Sequence, residues 1–141
     1  MNYLKDDLLY LPLGGAGEIG MNCNLYHYKN RWIMVDLGVT FSDNDSNSFE
    51  LIMPNIEFVL EKIGKLSALI LTHAHEDHIG AVPYLLKKLG NIPIYTTSFT
   101  ASVLKRKLAS VGISDYKINL MEYGKTLCLH DFSIEIFSMT H

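Results

Sequence analysis

The sequence predicts a single α/β domain in which helices cover a face of the sheet. Short apolar runs typical of strands alternate with amphipathic helical patterns through the middle of the chain, and short β segments return near its end. The 141 residues, 48% of them hydrophobic, can form one compact core and are too few for two ordinary domains. Neither an internal repeat nor a low-complexity linker divides the sequence.

The first part of the chain is predicted to be β-structure. An apolar run at residues 8–13 stops at a glycine-rich turn, residues 14–20. Two strands, Cys23–Tyr28 and Arg31–Val35, then form a hairpin around a turn at residues 29–30. This part of the sequence therefore contributes strands and no helix.

The rest of the chain alternates helices and strands. Residues 43–48 form a polar loop, and apolar residues then recur at i, i+3, i+4 and i+7 from Ile56, which predicts a surface helix ending at Gly64. Residues 68–71 are wholly apolar, as expected of a strand buried on both faces. The later predicted elements are helices at 82–89 and 98–109 and strands at 92–95, 118–121, 126–129 and 132–137.

The strongest functional signal is an H-x-H-x-D-H pattern directly after the strand at residues 68–71. It consists of His73, His75, Asp77 and His78. Imidazoles and a carboxylate are suitable ligands for zinc or a similar divalent ion, and crowding them into one short loop is costly unless something binds them. The spacing lets His73 and His75 address one metal position while Asp77 and His78 address a second.

Such a pair of metal ions would support hydrolysis, because two divalent ions about 3.5 to 4 Å apart polarise an oxygen and generate hydroxide near neutral pH. Asp77 and His78 are the candidate catalytic residues. The alternative is a polar loop whose histidines cap the following helix, which the crowding of polar groups disfavours. A histidine outside such a cluster is not expected to bind a metal, so His27 and His130 are predicted to be plain surface or hydrogen-bonded residues.

A competing signal is the G-x-G-x-x-G pattern at residues 15–20, with Asp36 at about the distance of a ribose-binding carboxylate. Pyrophosphate binding needs a helix that begins at the third glycine, whereas residues 22–28 resemble a strand. We therefore expect no nucleotide cofactor and interpret the glycines as a tight loop bordering the metal site. Asp36 is either a turn-forming carboxylate or, as we favour, a residue that orients a ligand histidine without touching metal.

Composition limits the partners and the compartment. The net charge of -3 gives no basic footprint of a self-sufficient nucleic-acid-binding domain, so RNA binding would need positive surface from another region. No apolar run approaches the roughly 20 residues that cross a bilayer, and Asp6 and Asp7 interrupt the N-terminal stretch. These features predict a cytoplasmic protein without a membrane partner. Cys23 and Cys128 belong to no C-x-x-C pair and are expected to be buried thiols.

Several of these motifs together resemble ribonuclease J, of the β-CASP group in the metallo-β-lactamase superfamily. They are LGGAGEIGMN at residues 13–22, VDLG at 35–38, LTHAHEDHIG at 71–80 and VPYLL at 82–86. The H-x-H-x-D-H core is shared across the superfamily, whereas the GEIG and EDHIG stretches point more narrowly. The resemblance covers essentially the whole chain and implies an αββα sandwich, of which residues 1–141 would be the N-terminal portion.

The resemblance also implies a ligand set. His73, His75 and His141 would bind one zinc ion and Asp77 and His78 another, with manganese as the alternative metal. A bridging aspartate, a further histidine, a β-CASP domain and a C-terminal domain would come from later in a longer polypeptide. That polypeptide would be a cytoplasmic 5′-to-3′ exoribonuclease and endoribonuclease acting on RNA, and we expect this chain alone to be inactive or nearly so.

Two other interpretations stay open. The first is a metallo-β-lactamase-fold hydrolase acting on a small ester, thioester or lactone, because the ligand cluster alone does not separate phosphodiester from acyl chemistry. The second is a non-catalytic metal-binding remnant, since the sequence stops at His141 directly after a strand and looks cut short. The sequence also leaves open the metal used in the cell and homo-oligomerisation of the full polypeptide.

Overall fold

The computed structural model describes residues 4–42 and 50–140. The polar loop predicted at residues 43–48 lies outside the described residues. Within them the strands are β1 (Leu9–Gly14), β2 (Cys23–Tyr28), β3 (Arg31–Val35), β4 (Thr40–Ser42), β5 (Glu50–Ile52), β6 (Leu66–Ile70), β7 (Ile94–Thr96), β8 (Ile118–Leu120), β9 (Thr126–Leu129) and β10 (Phe132–Glu135). The helices are α1 (Glu57–Glu61), α2 (Glu76–Ile79), α3 (Val82–Leu89) and α4 (Ser98–Ser110).

The main sheet joins an antiparallel half to a parallel half, in the order β1-β2-β3-β6-β7-β8. The predicted hairpin between β2 and β3 is confirmed. Lys29 and Asn30 in its turn have φ values of 45° and 63°, the left-handed conformation that a two-residue type I′ turn requires. β3 and β6 run parallel, with Val35 beside Ile70, so the carboxyl ends of both strands lie at the same edge of the sheet.

Helices cover one face of the sheet, and the β9–β10 hairpin covers the other. The larger apolar cluster joins the inward faces of α1, α3 and α4 to Leu69 and other sheet residues. The smaller cluster packs Ala68 and Ile70 against hairpin residues such as Leu127 and Ile134. β6 is therefore buried on both faces, as its apolar sequence predicts.

Some short elements differ from the prediction. The helix expected from Ile56 onward is only α1 followed by a 3₁₀ turn, Ile63–Lys65. β4 and β5, which flank the predicted polar loop at residues 43–48, form a separate antiparallel pair that was not predicted. The last predicted strand ends at Glu135, two residues earlier than the apolar pattern indicates.

The two cysteines lie in different environments. Cys23 is buried, whereas Cys128 is exposed, so the prediction of two buried thiols is wrong for Cys128. Side chains alternate between the faces of a strand, and Leu127 and Leu129 take the inward positions of β9. In the part of the chain that the structure describes, no helix is long and apolar enough to cross a membrane.

Candidate metal centre

The H-x-H-x-D-H residues lie on the loop between β6 and α2, at the carboxyl edge of the sheet. The loop is anchored at Leu71, whose backbone N–H donates to the Tyr95 carbonyl oxygen at 2.9 Å. Asp36 follows β3 directly, and its backbone N–H donates to the Ile70 carbonyl oxygen at 2.8 Å. The parallel pairing of β3 with β6 therefore brings Asp36 beside a loop that is distant from it in sequence.

The structure brings the four loop residues together as two pairs of donor atoms. His73 Nε2 and His75 Nδ1 are 3.0 Å apart. His78 Nε2 and Asp77 Oδ2 are 3.4 Å apart. The rings of His73 and His78 also lie close, with their centroids separated by 4.0 Å.

These separations can be compared with what a metal ion needs. Two ligands of one tetrahedral zinc ion, each about 2.0 to 2.1 Å from the metal, lie roughly 3.3 Å apart. Both donor pairs are near that value, and their imidazole and carboxylate atoms suit such an ion, so the residues fit it. Across residues 4–42 and 50–140, no three His, Cys, Asp or Glu side chains are grouped to hold a metal. His141, the expected further ligand, lies outside the described residues.

Asp36 is the buried carboxylate that supports this loop. It is 4% exposed, and its Oδ2 lies 2.7 Å from His78 Nδ1. Oδ1 accepts from the Thr72 backbone N–H at 2.8 Å, and the Thr72 hydroxyl donates to Oδ2 at 2.9 Å. A carboxylate can only accept in these contacts, so Nδ1 of His78 carries a proton, and in the neutral form of the ring the lone pair is on Nε2.

The surroundings of His78 also shift its pKa. Burial of the ring lowers the pKa, but the hydrogen bond to Asp36 and the negative charges of Asp36 and Asp77 raise it. The contributions of the two carboxylates outweigh burial, so the pKa of His78 lies above its ordinary value. The same two carboxylates therefore favour positive charge at this position.

The glycine loop borders the site, as the sequence predicts. The residues after its third glycine form β2, so the helix needed to hold a pyrophosphate is replaced by a strand. This observation counts against the dinucleotide interpretation. The backbone N–H of Met21 donates to the Val39 carbonyl oxygen, and that of Asn22 to the Asp77 carbonyl oxygen, each at 2.9 Å. The loop is thus tied directly to the loop that carries the histidines.

The isolated histidines lie elsewhere. His27 is fully buried on β2, opposite Trp32, and its Nδ1 lies 2.9 Å from the Asp7 carbonyl oxygen. Trp32 in turn pairs with Leu66 at the start of β6, the end of the sheet away from the β6–α2 loop. His130 is exposed in the β9–β10 turn.

Sequence reasoning missed three contributors to the site. Thr72 bonds to Asp36, Asn22 bonds to Asp77, and Lys107 on α4 forms an ion pair with Glu76. Thr72 and Asn22 fall inside the recognised motifs, but a hydroxyl or amide in a motif carries no sign of which partner it meets. Lys107 gave no signal at all, because a lysine on an amphipathic helix is ordinarily a solvated residue.

Comparison with known proteins places the chain. The family model described as the metallo-beta-lactamase superfamily matches residues 16–114. Ribonuclease J of Sinorhizobium meliloti is 42% identical over 141 residues, which cover 96% of this chain and 25% of the relative. Ribonuclease J of Thermus thermophilus is 33% identical over 144 residues, covering 97% of this chain and 25% of the relative. The chain spans about a quarter of the length of these relatives.

Solved structures show the same fold at low sequence identity. Human tRNase Z, short form, aligns with a TM-score of 0.51 and 16% identity, covering 82% of this chain and 45% of that one. Zinc-bound PqqB from Methylobacterium extorquens aligns with a TM-score of 0.54 and 15% identity, covering 84% and 42%. The predicted α/β fold class is confirmed, and these alignments carry no information about substrate.

Proposed function

Since the chain belongs to the metallo-β-lactamase superfamily, we propose that it supplies part of the two-metal site of a ribonuclease J-like hydrolase. The observation that carries the proposal is the pair of donor sets on one loop, His73 with His75 and Asp77 with His78. Relatives named Ribonuclease J, 33–42% identical over almost the whole chain, support RNA as the substrate of the complete polypeptide.

The atoms that face each other support a ligand assignment for the four loop residues, and His141 is added to it from the family resemblance. His73 Nε2 and His75 Nδ1, with His141 as a further ligand, would hold one ion. Asp77 Oδ2 and His78 Nε2 would hold the other, and zinc or manganese suits both donor sets. When bound, divalent ions of this kind polarise phosphoryl oxygens and lower the pKa of water.

The protein's own part is to hold these donors in the correct protonation state. Asp36 keeps a proton of His78 on Nδ1, so Nε2 of the neutral ring has the lone pair that would bind an ion. Thr72 donates its backbone N–H to Oδ1 of Asp36 and its hydroxyl to Oδ2, and thereby fixes the plane of the carboxylate. Asp36 thus orients a ligand histidine without being a ligand itself.

The complete polypeptide is proposed to act on RNA in the cytoplasm. The net charge of -3 on this chain leaves the basic RNA-binding surface to other regions. We therefore propose that the 141-residue chain alone cleaves RNA poorly or not at all. Homo-oligomerisation of the complete polypeptide stays a prediction.

Elemental metal analysis tests the ligand assignment. The purified chain is compared with the double variant His73→Ala, Asp77→Ala and with the matched control His130→Ala, Asp131→Ala, which removes the same residue types from an exposed turn. About one or two ions per chain are expected in the wild type and the control, and clearly fewer in the first variant. Equal metal content in all three proteins would refute the assignment.

The substrate class is tested on a polypeptide of the relatives' length. Cleavage of a 5′-labelled RNA oligonucleotide is compared with hydrolysis of a small ester, thioester and lactone under identical metal loading. RNA cleavage that the double variant loses is the expected result. Hydrolysis of a small acyl substrate with no RNA cleavage would replace the proposal by an acyl hydrolase, and RNA cleavage by the 141-residue chain would disprove its inactivity.

A further inference from the structure

The side chain of Asn22 makes three contacts with Asp77 and His78, which the sequence did not predict. Its side-chain Nδ2 lies 3.1 Å from the Asp77 carbonyl oxygen, 3.2 Å from Asp77 Oδ2 and 3.2 Å from His78 Nε2. Its backbone N–H donates to the same Asp77 carbonyl oxygen at 2.9 Å. Asn22, two residues after the glycine loop, therefore reaches both the backbone and the donor atoms of the ligand pair.

The side-chain amide nitrogen of Asn22 is equally far from the two candidate ligand atoms of Asp77 and His78. Nδ2 lies 3.2 Å from each of two ligand atoms that are themselves 3.4 Å apart, so the three atoms form a nearly equilateral triangle. A carboxamide has two N–H donors for these three acceptors. While no ion is bound, Asn22 can therefore donate to Asp77 Oδ2 and His78 Nε2. When these two atoms bind an ion, Asn22 can keep its hydrogen bond to the Asp77 carbonyl oxygen.

The glycines explain how Asn22 reaches this position. A Cβ at Gly15 would lie 2.3 Å from Asn22 Oδ1, and a Cβ at Gly14 would lie 2.1 Å from the Met21 carbonyl oxygen. Side chains at either position would push the loop away from Asn22. On the other side, Gly38 donates its backbone N–H to the Asn22 carbonyl oxygen at 2.9 Å. The glycine-rich sequence thus permits the close packing that delivers the amide to the ligand pair.

We infer that Asn22 is a positioning residue, whose carboxamide holds Asp77 and His78 at a separation suited to one metal ion. The metal-binding part of this inference rests on the proposed function, whereas the positioning of the loop does not. Substitution of Asn22 should loosen the loop in the metal-free chain and weaken metal binding. If Asn22 only filled space, its substitution would neither loosen this loop selectively nor weaken metal binding.

The metal-free experiment is amide hydrogen exchange on the 141-residue chain, comparing Asn22→Ala with Asn24→Ala. Asn24 is the matched control because its side chain, two residues further along in β2, accepts from the Tyr10 hydroxyl instead. Exchange of the amides of His78, Ile79 and Gly80, which close the first turn of α2, should be about tenfold faster in Asn22→Ala, as expected for a lost hydrogen bond. If Asn22→Ala does not fold, Asn22→Ser takes its place.

The metal experiment is a zinc titration of the same proteins against a chromogenic chelator. Asn22→Ala should bind zinc about 10- to 100-fold more weakly, the usual effect of removing a residue that supports a ligand, while Asn24→Ala should match the wild type. Unchanged exchange at residues 78–80, or faster exchange spread evenly over the chain, would overturn the positioning role. If the wild type binds no zinc, the proposed metal site fails in this chain and the exchange result alone decides the role of Asn22.

Discussion

Replacement of Asp36 by alanine is the sharpest test of how the site is built into the fold. The carboxylate is 4% exposed and accepts hydrogen bonds from the Thr72 backbone N–H and from His78 Nδ1. Each donor left without a partner costs about 1 to 3 kcal/mol. Asp36 also has a φ of 64°, where alanine adds roughly 1 kcal/mol of strain. We therefore expect Asp36→Ala to lower the free energy of unfolding by about 4 kcal/mol.

Asp36→Asn separates charge from shape, because asparagine tolerates a positive φ and keeps one oxygen acceptor. Asp36→Asn should lower the free energy of unfolding by about 1 to 2 kcal/mol. Asp131→Ala is the matched control, since Asp131 pairs with Lys29 on the surface, where the two side chains are 45% and 42% exposed. An ion pair this exposed to solvent contributes little to stability.

The assay is urea denaturation followed by the fluorescence of Trp32, the only tryptophan in the chain and 1% exposed. It lies in β3 and packs against His27 and Phe58, so unfolding changes its environment completely. Free energies come from linear extrapolation. The reasoning is refuted if Asp36→Ala destabilises the chain no more than Asp131→Ala does, because the buried carboxylate would then contribute nothing beyond a surface charge.

Two further predictions concern packing and reactivity. A Cβ at Gly38 would lie 1.6 Å from the Asp77 carbonyl oxygen, so Gly38→Ala should lower the free energy of unfolding by more than about 2 kcal/mol. Gly64→Ala is the control and should leave stability unchanged, because a Cβ at Gly64 meets nothing within 4 Å. Equal melting temperatures for the two variants would contradict this prediction. Burial raises the pKa of the Cys23 thiol to about 12, so a thiol reagent at neutral pH should label the folded chain only at exposed Cys128, and peptide mapping that finds rapid modification of Cys23 would disprove it.

The chain's local patterns were sufficient for most of the fold. The turn at Lys29 and Asn30 and the apolar run of β6 each depend on neighbouring residues alone, so periodicity and turn chemistry predict them. The prediction for Cys128 was wrong because burial depends on which strand face another element covers, and a single residue type does not report that. The β4–β5 pair was missed because neither Thr40–Ser42 nor Glu50–Ile52 contains a wholly apolar run like the one that predicts β6.

At the candidate site, too, local patterns predicted some features and tertiary contacts decided the others. The sequence by itself predicted the four residues of the candidate metal site, because residues with ligand chemistry crowded onto one short segment are visible as a spacing. Only the tertiary structure decided what supports them. Asp36 reaches His78 through the parallel register of β3 with β6, and Asn22 reaches Asp77 through the close packing of the glycine loop. Contacts between segments distant in sequence depend on strand register and backbone approach, which no local pattern encodes.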